Sequence, residues 1–114
     1  MRIPIEVKNS FQHSDSLDAH IERRIDSALR PHAQHIRKVA LRLLDANGPR
    51  RGTNDKVTRI AVTLAPSGRV MAAAAAGDVY VSVARAAARA RDAVDRYITR
   101  SQRRARHPAG RFAP

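Results

Sequence analysis

The sequence contains no cysteine and no tryptophan, and aromatic residues make up only 4% of it. The absence of cysteine excludes disulfide bonds, thiol catalysis and zinc sites with thiolate ligands, and it agrees with a reducing compartment. No hydrophobic run approaches membrane-spanning length, and the N-terminus lacks the apolar stretch of a secretory signal. We therefore expect a cytoplasmic protein with a thin core of mainly aliphatic side chains.

Acidic residues are also scarce, with 10 Asp and Glu against 22 Lys and Arg and a formal net charge of +12. With a net charge of this size, the positive side chains repel one another in the folded state unless a partner neutralises them. Nearly all the basic residues are Arg, which binds phosphate through two parallel hydrogen bonds and stacks on bases. The composition therefore favours a nucleic-acid partner over the anionic surface of a membrane.

At 114 residues the chain has the length of one domain. Residues 1–103 are predicted to form this domain, and the basic residues 104–114 to form a flexible C-terminal tail. Alternating apolar residues predict four strands, and apolar residues at helical spacing predict two helices. The strands are expected at residues 2–8, 38–43, 59–64 and 70–76, and the helices at residues 14–30 and 78–104.

The order β-α-β-β-β-α predicts an α+β fold, in which a four-stranded mixed sheet carries both helices on one face. Ser14 or Ser16 is expected to cap the first helix, and Asp78 the second. Pro31 is expected to end the first helix, because proline lacks the N–H group and clashes with the preceding turn. Residues 45–56 are rich in turn formers and long for a hairpin loop, so this segment is either mobile or functional.

The second helix has two unlike faces, with its apolar residues on one side and five arginines in a sector roughly 60° wide on the other. We call these five the arginine ridge, which comprises Arg85, Arg89, Arg96, Arg100 and Arg103. A solvated face normally mixes charges of both signs, whereas Asp92 is the only acid in this sector. The ridge therefore predicts binding to the phosphates of a long polyanion such as RNA.

No residue pattern supports catalysis or metal binding. His32 and His35 lie beside a proline without a carboxylate cluster, which is more typical of a helix end than of a metal site. The segment at residues 45–55 lacks the terminal Glu of a calcium loop. Residues 13–15 contain His, Ser and Asp, but neighbours in sequence do not form a catalytic triad. We expect no enzyme activity, metal, cofactor or small-molecule substrate.

The order of the elements and two helical segments resemble the ribosome hibernation-promoting factor / ribosome-associated inhibitor A family in its short form. The segments are SDSLDAHIERRI in the first helix and GDVYVSVARAAARARDAVDRYITR in the second. Asp78-Val79-Tyr80 matches the Asp-hydrophobic-Tyr start of the last helix in that family. The loop at residues 45–56 is similar to one in a short, proteobacterial branch. The resemblance covers residues 2–103.

The sequence departs from the family pattern at three places. Val81-Ser82-Val83-Ala84 replaces the common Ala-Ala-Ile-Asp, arginines replace the usual lysines of the last helix, and Pro31-His32 replaces a helical residue and an apolar one. These departures leave the expected fold unchanged.

The resemblance implies a translation inhibitor that binds the small (30S) ribosomal subunit under stress or in stationary phase. It implies contacts with 16S rRNA, in the channel for mRNA and tRNA, through basic residues of both helices. The candidate RNA-binding residues are Arg23, Arg24, Arg30, Arg85, Arg89, Arg91, Arg96, Arg100, Arg103 and Arg104. The alternative is a general nucleic-acid-binding module with the same fold and no ribosome-specific role.

Overall fold

A computed structural model describes residues 3–9, 14–45 and 56–106, with the backbone alone described at residues 9 and 103–106. The elements are β1 (Ile5–Asn9), α1 (Asp15–Leu29), a 3₁₀ helix (Arg30–His35), β2 (Ile36–Asp45), β3 (Lys56–Leu64), β4 (Gly68–Ala76) and α2 (Val79–Arg106). Apart from the 3₁₀ helix, this is the predicted order β-α-β-β-β-α.

The four strands form one mixed sheet in the order β1-β2-β3-β4, so β1 and β4 are its edges. β1 runs parallel to β2, with Ile5 opposite Val39. β2 and β3 are antiparallel, as are β3 and β4, with Val39 opposite Val62 and Val62 opposite Val70. Pro4 precedes β1 at the sheet edge, where a missing N–H group costs least. The predicted α+β fold with a four-stranded mixed sheet is confirmed.

Both helices pack on one face of the sheet and share a single hydrophobic core with it. Because strand side chains alternate between faces, the register turns one set of apolar residues toward the helices. The buried strand residues include Val39, Leu41, Leu43, Ile60, Val62 and Leu64, and the buried helix residues include Leu17, Ile21, Ile25, Leu29, Val83, Ala87, Ala90 and Val94. Alanines at the buried positions of β4 and α2 allow this helix to lie close to the sheet.

Polar side chains cap both helices. The Ser14 Oγ accepts a hydrogen bond from the backbone N–H of Leu17 at 3.1 Å, which makes Ser14 rather than Ser16 the cap of α1. The Asp78 Oδ1 accepts a hydrogen bond from the backbone N–H of Tyr80 at 2.7 Å. Each bond satisfies one of the N–H groups that a helix leaves free at its first turn, as the sequence predicted.

The element boundaries differ from the predicted ones by a few residues. β2 and β3 are longer than their alternating cores because pairing continues to Asp45 and Lys56, whose side chains form a salt bridge at 3.0 Å. α1 ends at Leu29, and the expected turn is the 3₁₀ helix. α2 continues to Arg106, which includes the start of the predicted tail. Residues 107–114, and residues 46–55 of the predicted loop, lie outside the described residues.

Two polar contacts connect α2 with the sheet. The hydroxyl oxygens of Thr58 and Ser82 lie 2.8 Å apart, and both residues are fully buried. Since the Ser82 hydroxyl donates to the Val79 carbonyl at 2.9 Å, Thr58 is the donor in this pair. Near the other end of the helix, the Tyr97 hydroxyl donates to the Ser67 carbonyl at 3.2 Å. These contacts fix the position of α2 over β3 and over the turn between β3 and β4.

Candidate nucleic-acid interface

The arginine ridge lies on the side of α2 that faces the edge strand β4. Arg85 Nη1 donates to the Ala75 carbonyl at 3.3 Å, and Arg89 Nη1 donates to the Ala73 carbonyl at 2.7 Å. β4 is an edge strand, so carbonyls on its outer side have no neighbouring strand in the described sheet to pair with. Both arginines are exposed and retain further N–H donors for a ligand. The two bonds therefore hold the guanidinium groups along the sheet edge.

Arg96 and Arg100 continue the ridge beyond its contacts with β4. Both are exposed, and neither forms a salt bridge with any residue that the structure describes. They lie one helical turn apart, which corresponds to a rise of about 6 Å. Arg103 follows in the same sector, but its side chain lies outside the described part. Free guanidinium groups at this spacing can contact phosphate groups of one nucleic-acid strand.

The opposite flank of α2 faces α1 and the 3₁₀ helix. The Tyr80 hydroxyl lies 3.1 Å from the Ser16 hydroxyl, and the Tyr80 carbonyl lies 3.1 Å from His20 Nε2. Further along, His32 of the 3₁₀ helix pairs with Asp95 of α2. α2 therefore lies between α1 and the arginine ridge.

The first-helix candidates form a separate group across α2 from the ridge. Arg23 and Arg24 are exposed and have no salt-bridge partner within the described ranges. Arg30 pairs with Asp26 one turn earlier on α1. The outer surface of α2 between the two groups carries the acid Asp92. The basic surface of the helical layer is thus divided between two sides of α2.

The remaining candidates do not extend the ridge. Arg91 falls outside the ridge sector of α2, and its guanidinium lies 3.8 Å from the Asp92 carboxylate. Arg104 lies where only the backbone is described. Of the ten predicted contacts, the structure brings four described side chains together on one surface, namely Arg85, Arg89, Arg96 and Arg100.

The chemistry of this surface is electrostatic. Within the described ranges, no group of three or more His, Cys, Asp or Glu side chains is placed to hold a metal ion. Among the same residues, none of the helices combines the length and apolar character needed to cross a bilayer. Exposed guanidinium groups along a helix and a sheet edge provide hydrogen-bond donors and positive charge for a polyanion.

Sequence reasoning missed a second set of basic residues, on the sheet face opposite the helices. Lys8, Arg42 and Arg59 are exposed on that face at directly opposed positions of three strands. The alternation of each strand predicted an outward direction for these residues. The alternation did not predict the register between the strands, and this register aligns the three residues.

A family model described as sigma 54 modulation protein / S30EA ribosomal protein matches residues 4–102 of the chain. The match covers all four strands, α1 and most of α2. No curated protein matches the sequence.

Solved structures with the same fold include a ribosomal subunit interface protein from Coxiella burnetii, with a TM-score of 0.72 and 16% identity. The N-terminal domain of Protein Y from Thermus thermophilus has a TM-score of 0.61 and 20% identity. In each case the similarity covers 85% of this chain and 99% of the other. At these identities the likeness shows the fold alone.

Proposed function

We propose that this chain, which belongs to the sigma 54 modulation protein / S30EA ribosomal protein family, inhibits translation by binding the small ribosomal subunit through its arginine ridge. Membership makes it a ribosome-associated protein and confirms the family predicted from the two helical segments. The small subunit, the 16S rRNA contacts and the role under stress belong to the proposal.

One observation carries the proposal: the ridge presents Arg96 and Arg100 without acidic partners inside the described ranges. Unpaired guanidinium groups on a protein of formal charge +12 favour a ligand that supplies many negative charges at regular spacing. RNA provides these charges, and binding releases its condensed counterions. Because the chain belongs to a ribosomal protein family, we take ribosomal RNA as this ligand.

The proposed mechanism is steric and involves no chemical step. The domain occupies the channel of mRNA and tRNA on the small subunit, where phosphate contacts hold it in place, and so excludes the substrates of translation. Contacts with phosphates position a protein without reading the sequence of bases. The protein is therefore expected to act on ribosomes in the cytoplasm regardless of the message they translate.

Sedimentation of ribosomes tests the proposal. The protein should comigrate with the small subunit or the intact ribosome in a sucrose gradient at low salt, and high salt should release it. Arg96→Glu with Arg100→Glu should move it to the top of the gradient at low salt. Unlike Arg89, these two residues make no bond to the sheet, so the change leaves the fold intact.

Arg37→Glu with Arg69→Glu is the matched control, since it reverses two exposed charges away from the ridge and should retain comigration. Equal loss in both variants would show a dependence on net charge and contradict the role of the ridge. Equal affinity for ribosomes, unrelated RNA and duplex DNA would instead support the general nucleic-acid-binding module.

A further inference from the structure

The sheet face opposite the helices has an excess of positive charge. Its exposed charged side chains are Glu6, Lys8, Lys38, Arg42, Arg59 and Arg69. Glu6 is the one acid among the described side chains of this face, and its carboxylate lies 3.6 Å from the Lys38 ammonium and pairs with it. The other four cations have no salt-bridge partner among the residues that the structure describes. This face is therefore a second basic surface that no element of the described fold covers.

Three of these cations form a straight line across the strands, which we call the cationic row. Lys8 of β1 lies opposite Arg42 of β2, which lies opposite Arg59 of β3. Neighbouring strands are about 4.8 Å apart, so the row is about 10 Å long. Like charges at directly opposed positions destabilise a sheet, and nothing in the described fold offsets this cost. A bound anion would offset it.

The cationic row leads to the arginine ridge around the edge of the sheet. The next residue in line after Arg59 is Ala73 of β4, and its carbonyl accepts the hydrogen bond from Arg89. Ala73 and Ala75 place only methyl groups on the open face, so no large side chain separates the row from the edge. Row and ridge thus form one basic band that passes from the sheet face over β4 to α2.

We infer that one single-stranded RNA backbone binds along this band, from the arginine ridge over the β4 edge to the cationic row. The inference rests on the proposed function in taking RNA as the ligand. The strand must be single, because a duplex is stiff over about 150 base pairs and does not turn around the edge of one sheet. Among the described residues, the open face has no aromatic side chain on which bases could stack, so the contacts are to phosphates.

The test compares the binding of a 20-nucleotide oligouridylate, which has no duplex structure, to wild-type protein and to Arg42→Gln with Arg59→Gln. Fluorescence anisotropy over a series of NaCl concentrations gives the affinity and its salt dependence. Losing two phosphate contacts should reduce the slope of log K against log salt by about 1.4. Affinity at 0.1 M salt should fall on the order of tenfold, with one RNA bound per protein in the wild type.

Two controls isolate the cationic row. Arg37→Gln removes one arginine charge from β2 outside the row, and it should bind oligouridylate like the wild type. A blunt 20-base-pair RNA duplex should bind the row variant and the wild type equally, because it contacts the ridge alone. The row variant should not unfold at a lower temperature than the wild type, since it relieves repulsion between opposed charges.

Several results would overturn the inference. These are an unchanged salt slope in the row variant, an equal loss of duplex binding, a second oligouridylate bound per protein, or no binding by the wild type. A row variant that keeps its oligouridylate affinity but leaves the ribosome would show that this face contacts a ribosomal component other than single-stranded RNA, which also contradicts the inference. The ribosome sedimentation of the ridge variant is a separate measurement, so failure of the proposed function is recognised independently.

Discussion

The pair of buried hydroxyls in Thr58 and Ser82 shows how a single polar contact is built into a thin aliphatic core. The two hydroxyls form a hydrogen bond at 2.8 Å, and the Ser82 hydroxyl donates its own hydrogen bond to the Val79 carbonyl. Every hydroxyl proton in this chain of bonds therefore has an acceptor. The pair links β3 to the first turns of α2.

We predict that Ser82→Ala lowers the free energy of unfolding by about 1–3 kcal/mol, because it leaves the buried Thr58 hydroxyl without an acceptor. The double variant Thr58→Val with Ser82→Ala should recover most of this loss, since it removes both polar groups while keeping their approximate volume. Urea unfolding of the wild type, the single variant and the double variant measures both effects. A double variant that is no more stable than Ser82→Ala would contradict the pairing.

A close contact between Gly68 and Tyr97 joins α2 to the turn between β3 and β4. A Cβ atom at Gly68 would overlap the phenol ring of Tyr97, and the Tyr97 hydroxyl bonds to the Ser67 carbonyl next to it. Glycine is needed here for space, because the ring lies directly against the backbone. The contact also explains why Tyr97 is part of the core although its hydroxyl is polar.

At the scale of elements, the arginine ridge is also a cover for the sheet edge. Edge strands present unpaired backbone groups on which other chains can pair. Arg85 and Arg89 occupy two carbonyls of β4 from the side of α2. Arg96 and Arg100 share the same sector of the helix without such bonds. The ridge therefore has two parts. Arg85 and Arg89 bond to the sheet, whereas Arg96 and Arg100 are exposed without such bonds.

We predict that Arg85→Ala with Arg89→Ala lowers the free energy of unfolding by about 1 kcal/mol more than Arg96→Ala with Arg100→Ala, because only the first pair loses hydrogen bonds. Both variants lose two positive charges from one helix, so they form a matched set. Urea unfolding gives the stability difference, and ribosome sedimentation should show weaker binding for both. Equal stability of the two variants would contradict the bonds to β4.

Local patterns in the sequence predicted the elements and their order. Strict alternation around Val39 and Ile60 identified two core strands, and Asp78 located the start of α2, because strand pleating and helix capping depend on neighbouring residues. In the same way, helix periodicity predicted that the arginines of the ridge share one sector of α2.

The long-range parts of the candidate site could not be read from local patterns. Which flank of α2 meets β4 depends on how the helix rotates on the sheet, and this is set by packing around residues such as Val83 and Val94. The alignment of Arg42 with Arg59 depends on the hairpin register across a long loop, where the sequence gives no turn signal that fixes it. The sequence therefore predicted a basic helix face but not the basic band around the edge.

At the scale of the whole molecule, positive charge lies on both layers of the domain. The arginine ridge and the first-helix arginines occupy the helical layer, and the cationic row occupies the open face of the sheet. With +12 formal charges and few acids to pair with them, the folded chain repels itself. Unfolding lets the charges move apart, so part of the stability gained from the core is lost to this repulsion.

We predict that salt changes stability and RNA binding in opposite directions. Raising NaCl from 0.02 M to 0.2 M shortens the screening length from roughly 20 Å to below 10 Å and should stabilise the fold by on the order of 1 kcal/mol. This corresponds to a rise of about 4–8 °C in the unfolding midpoint of a domain of this size, measured by circular dichroism. The same change should weaken RNA binding, because the counterions released on binding then gain less entropy.

The row variant Arg42→Gln with Arg59→Gln serves as a control for this effect, since it carries two fewer charges and should show a smaller rise in the midpoint. NaCl is the appropriate salt, because sulfate strengthens apolar burial by itself and would raise the midpoint for another reason. A midpoint that falls as NaCl increases would mean that the described ion pairs outweigh the repulsion. Repulsion among the +12 charges would then not dominate the folded state, and the argument from net charge for a polyanionic partner would lose its physical basis.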